Sequence, residues 1–153
     1  MRSDRINSNS DSYNEYENKL IDITTATYTV LASDSGSTYT FNKADGIVVT
    51  LPTAAKGLSY RFIVATTFSS AGQINTAAAD ELYVGGAMLV DPATATDMNY
   101  FTADVSNDDT IDLGAIEQGW LAGGVIHLSG LSATRWHVEA TLIGDATLAT
   151  PFE

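Results

Sequence analysis

Residues 135–142, Arg135-Trp136-His137-Val138-Glu139-Ala140-Thr141-Leu142, carry the reading that decides the fold class. Trp136, Val138, Ala140 and Leu142 fall on one side of an extended chain, and Arg135, His137, Glu139 and Thr141 on the other. A period of two places one row of side chains in a core and the other in water, which is the pattern of a half-buried strand. The same pattern runs through residues 57–64, where Leu58, Tyr60, Phe62 and Val64 oppose Ser59, Arg61 and Ile63. Shorter alternations cover Tyr28 to Val30 and Thr38 to Phe41. The more apolar runs Gly46 to Leu51 and Gly124 to Leu128 are expected as strands buried on both faces.

Turn residues separate these runs. They are residues 33–36, 42–46, 52–57, 69–72, Gly85 with Gly86, residues 106–109, and Gly130. Asp and Asn close turns with their own side chains and Gly accepts positive φ. Pro52 lacks a backbone donor and should end the strand that precedes it. Residues 91–107 lack pattern and are expected as a long surface loop with one short strand near Met98–Phe101. No twelve-residue window carries an amphipathic helical stripe; the nearest, Leu113 to Ala122, is weakened by Gly114 and Gly119. Eight to ten short strands at this spacing mean a sandwich, jelly roll or small barrel, and an all-β single domain over residues 21–153, an antiparallel sandwich or jelly roll, is expected. Its expected core includes Tyr28, Val30, Phe41, Val48, Phe62, Val64, Ile126, Trp136, Val138 and Leu142.

Residues 1–20 differ in kind. They are rich in Asn, Ser, Asp, Glu and Tyr and hold almost no aliphatic side chain before Leu20. Such a segment buries too little apolar area to offset its ordering entropy by itself. It reads as an extended polar arm whose Tyr13, Tyr16 and Leu20 are the candidate partner-binding residues, since Tyr anchors interfaces at low entropic cost.

The chain of 153 residues fits one domain, and its formal charge of −12 sets strong priors on partners. Nucleic acid needs Lys and Arg to neutralise phosphate, and an anionic membrane needs the same, so both are excluded as expected partners. No apolar run approaches the roughly 18 residues of a transmembrane helix. Residues 1–10 lack the apolar stretch of a secretory leader, so synthesis in the cytoplasm is expected. With no Cys, disulfides and thiolate chemistry are absent.

Candidate chemistry is sparse. His127 and His137 lie on neighbouring expected strands with Glu139 in reach, short of the three or four ligands a zinc site needs. Ser129 is the one apolar-flanked Ser near a His, and no Gly-x-Ser-x-Gly elbow surrounds it. Asp104, Asp108, Asp109 and Asp112 have the oxygen chemistry of a Ca²⁺ loop but not its spacing, and Asp is what a strand turn uses in any case. No phosphate-cradling glycine pattern occurs. The expectation is a non-enzymatic protein without cofactor or metal. An alternative places exposed Trp120, Tyr83 or Tyr100 as stacking platforms for carbohydrate.

The succession of residues 31–41 (LASDSGSTYTF), 46–52 (GIVVTLP) and 57–64 (GLSYRFIV) resembles small virion proteins of tailed bacteriophages. These are decoration (cement) proteins of the capsid surface or modules of head and tail fibres. The shared cadence is an Asp-Ser-Gly turn, a strand, a Gly turn, a Thr-Leu-Pro strand end and a Gly-entered aromatic strand. The late Trp136 strand also fits, although the Gly usually set just before that Trp stands here at Gly130. The resemblance implies an all-β module without catalysis. It implies the virion as location and the major capsid protein as partner, with a homotrimer matching the three-fold joints of a capsid. The runner-up is a fibre module that binds host-surface carbohydrate.

Overall fold

A computed structural model describes residues 19–94 and 97–153. Eleven strands and two short 3-10 turns, Ala32–Asp34 and Ile116–Gln118, make up the regular structure among them. The strands are β1 Leu20–Ile23, β2 Thr27–Thr29, β3 Thr38–Phe41, β4 Val48–Thr50, β5 Ser59–Val64, β6 Gln73–Asn75, β7 Leu82–Val90, β8 Met98–Thr102, β9 Thr110–Asp112, β10 Val125–Ser132 and β11 Arg135–Ile143. They form two sheets. Seven strands run in the order β1-β3-β5-β10-β11-β7-β8, and four in the order β2-β4-β6-β9. The all-β expectation is therefore met.

Strand direction departs from expectation. β1 to β6 alternate between the sheets, odd strands in the larger and even strands in the smaller, and every contact within each set of three is parallel. β7 also lies parallel to β11, while the pairs β5–β10, β10–β11, β7–β8 and β6–β9 are antiparallel. A period of two fixes which face a residue takes and carries no information on strand direction, so the alternation could not show that the sheets are mixed. Parallel neighbours need a crossover; among β1 to β6 each crossover is a short strand of the other sheet, and between β7 and β11 it runs through β8, β9 and β10.

One cluster of buried side chains draws from both sheets. Across the larger sheet a single row runs Ile21–Tyr39–Phe62–Ile126–Ala140–Ala87–Phe101, each residue directly opposite the next. The smaller sheet contributes Tyr28, Val49, Ile74 and Ile111 in register. Aromatic rings pack within the larger sheet, and one pair, Tyr28 with Tyr39, joins the two sheets. Tyr39 stacks on Phe62 with centroids 5.1 Å apart, Tyr28 meets Tyr39 edge-on at 5.7 Å, and Tyr60 reaches Trp136 at 5.9 Å. These offset and tilted geometries suit the ring quadrupole.

Of the ten expected core residues, Tyr28 and Val48 are only half-buried, and the other eight are buried. Val48 misses by one position, because Ile47, Val49 and Leu51 take the inner side. The runs expected to be buried on both faces alternate instead: Val48 and Thr50 are half-buried, and His127 is exposed. Gly85 and Gly86, read as a turn, lie inside the nine-residue strand β7. The short strand in the 91–107 stretch is present as β8. β1 begins at Leu20, one residue inside the stretch assigned to the arm.

Candidate interaction surfaces

Tyr13 and Tyr16 fall outside the described residues. Leu20, the third arm residue, opens β1 and is 64% exposed on an edge of the larger sheet. Lys19 just before it forms an ion pair with Asp34 in the first 3-10 turn, and its carbonyl accepts the amide of Thr38 at 3.0 Å. One residue further in, Asp22 accepts hydrogen bonds from Thr40 Oγ1 at 2.6 Å and Asn42 Nδ2 at 3.1 Å, which hold its carboxyl below the usual range. The chain is thus anchored from Lys19 onward.

The two histidines share the solvent face of the larger sheet, but they do not face each other. His127 stands between Arg61 and Glu139, and His137 between Ser129 and Val84. A shallow concavity of about 460 Å³ there is lined by Val125, His127, Ser129, Glu139, Ala140 and Thr141. Among the described residues no hydrogen bond joins Ser129 to His137, and no group of three or more His, Asp or Glu is arranged to hold a metal.

The four aspartates near β9 each serve a local turn. Asp104 Oδ1 accepts from Ser106 N at 3.0 Å and Ser106 Oγ at 2.6 Å, and these bonds lower its pKa. Asp108 Oδ2 accepts the Asp104 amide at 2.6 Å, and Asp112 Oδ1 the Gly114 amide at 2.7 Å. Asp109 accepts from Thr110 Oγ1 at 3.1 Å.

The three aromatic platforms separate. Tyr83 is fully buried, its hydroxyl donating to the Ile74 carbonyl at 3.1 Å, so it presents no platform. Trp120 is half-buried against the core. Tyr100 is 60% exposed on β8, and its ring lies over Gly86: a Cβ there would stand 2.7 Å from Tyr100 Oη and 2.8 Å from Cζ. Met98 at 60% and Val105 at 52% extend this exposed apolar surface along β8 and the turn after it.

Charge marks the same region. No Lys or Arg occurs between Arg61 and Arg135, whereas nine Asp and Glu do. That interval is visible in the sequence alone and is the signal that would have directed attention to β8. Comparison with family models, with characterised proteins and with solved structures yields no match.

Proposed function

We propose that this chain is a structural protein of a bacteriophage virion that binds the outer capsid surface and stabilises its joints. In this reading the two sheets are the layers of a sandwich, the arm extends from one edge, and three copies meet at a three-fold joint. The observation that supports it best is the exposed Leu20 on an edge strand, at the point where two differently charged parts join. Residues 1–20 hold three basic and four acidic side chains, and residues 21–153 hold four basic and fifteen acidic ones. A nearly neutral, Tyr-bearing arm docks on a second surface with little electrostatic cost, while the acidic body stays solvated. A clamp of this kind needs apolar anchors and complementary charge rather than an active site.

The test removes residues 2–18 and measures binding to undecorated capsids, with folding checked separately. Occupancy should fall at least tenfold, about 1.4 kcal/mol. Undiminished occupancy from the shortened, folded chain would refute the role of the arm.

Tyr100 favours a second reading, a fibre module that stacks a sugar on this ring. Glycan-array binding that disappears in Tyr100→Ala, without capsid binding by the intact chain, would establish it instead.

A further inference from the structure

We infer that the outer edge of β8 is a docking site for an extended segment of another protein, one whose apolar strand is flanked by Lys or Arg. The inference goes beyond the capsid reading and does not depend on it.

The case starts from the four sheet edges. Unpaired strand edges invite further strands, and proteins blunt them with charge, Pro, shortness or a covering segment. β1 carries Asp22, and β2 is three residues long. β9 is covered by the C-terminus, where Ile111 bridges Phe152, and the Thr110 and Asp112 amides donate to the Glu153 and Pro151 carbonyls at 2.9 and 2.7 Å. Among the described residues β8 has none of these devices within its own span. Its sequence, Met98-Asn99-Tyr100-Phe101-Thr102, holds neither charge nor Pro, and among the described residues only β7 pairs with it.

Each face of this edge carries an apolar group beside a polar one, Thr102 on the solvent side and Asn99 on the core side. Met98 and Tyr100 stand on the solvent side, and Phe101 is half-buried on the core side. An added strand would gain backbone hydrogen bonds along the edge and bury side chains on either face, the strand-addition mode of recognition.

Charge selects the occupant. Asp97 and Asp104 bracket β8 at its two ends, and no cation lies within the surrounding stretch of chain. A second copy pairing antiparallel through β8 would set Asp97 beside the other copy's Asp104, and like charges so placed are destabilising. A segment with Lys or Arg at its ends meets the opposite sign at both.

The experiment uses two capped synthetic peptides, each alternating Val and Thr, one between pairs of Lys and one between pairs of Glu. Amide hydrogen exchange of the full chain is followed residue by residue. The Lys peptide should slow exchange of the outward amides of Met98, Tyr100 and Thr102 at least tenfold at low salt and much less at high salt, and the Glu peptide should not. The double variant Asp97→Lys with Asp104→Lys should reverse that preference, and Tyr100→Lys should abolish protection by the Lys peptide. Exchange along β11 serves as the folding control. The proposal is overturned if the two peptides protect alike, if protection falls elsewhere or nowhere, if the outward amides of Met98, Tyr100 and Thr102 are already protected in the free chain, or if the chain self-associates through β8.

Discussion

Trp136 shows how much of the molecule one residue can hold. Its side chain is fully buried, its ring sits against Tyr60, and its Nε1 donates to Glu81 Oε2 at 3.4 Å. The same carboxylate oxygen accepts the Ala54 amide at 3.0 Å, so the buried Glu81 ties the indole to the segment after β4. Truncating Trp136 to Ala removes a large aromatic and leaves Glu81 short of a donor. The expected cost is about 3–5 kcal/mol in urea unfolding; a cost under about 1 kcal/mol would mean the site collapses around the gap. The buried tyrosines make a separate claim about alkaline pH. Burial raises the hydroxyl of Tyr60 to about 12, and it raises Tyr39 and Tyr83 as well. The unfolded chain releases these protons near pH 10 while the folded chain retains them. Stability is therefore full below pH 10 and falls as pH climbs towards 12. Tm should drop across that window, in step with tyrosinate absorbance, and Tyr60→Phe should make the drop shallower. A flat Tm from pH 10 to 12 would contradict it.

β7 is the element that best separates what the sequence tells from what only the fold reveals. Gly85 and Gly86 look like a turn, since Gly breaks the alternation and strands disfavour it. In place, each glycine allows a neighbour to come close. A Cβ at Gly85 would strike the Val138 carbonyl of β11, and one at Gly86 the Phe101 carbonyl and the Tyr100 ring of β8. Gly86→Ala should accordingly cost about 1–3 kcal/mol and loosen β8 in hydrogen exchange. An unchanged β8 would mean the strand pair shifts to admit the methyl group. By contrast β3, β5 and β11 are legible from their residues, because large apolar side chains mark every second position. Their neighbours are not legible: Tyr39 faces both Ile21 and Phe62, and nothing in its local sequence selects either partner or direction. Exposure is equally hidden at the candidate surface. Tyr83 and Tyr100 both stand in strand-like surroundings, and only the sheet order shows that β7 is interior and β8 is an edge.

Over the whole molecule, β1 and β8 are the opposite edges of one seven-stranded sheet. Six strand spacings of about 4.8 Å set them about 29 Å apart. Both leave the body with apolar groups exposed, Leu20 at one edge and Met98 with Tyr100 at the other. A protein that resists the opening of a joint must hold both sides, and two grips on opposite edges meet that need where a single patch does not. If the chain acts as a clamp of this kind, the two edges bind as linked sites. Once one is engaged, the second binds at a high effective concentration, and the pair exceeds either alone by about 10²–10⁴. Removing residues 2–18 and placing Lys at Tyr100 should then each reduce capsid occupancy to a similar low level. Combining them should abolish binding. Rising salt should release the arm-deleted chain, held only by the acid-flanked β8, sooner than the Tyr100→Lys chain, held only by the nearly neutral arm. Occupancy measured on undecorated capsids over a salt series checks all four proteins at once. If Tyr100→Lys binds as well as the unaltered chain, β8 takes no part in holding the capsid, and the arm bears the attachment alone.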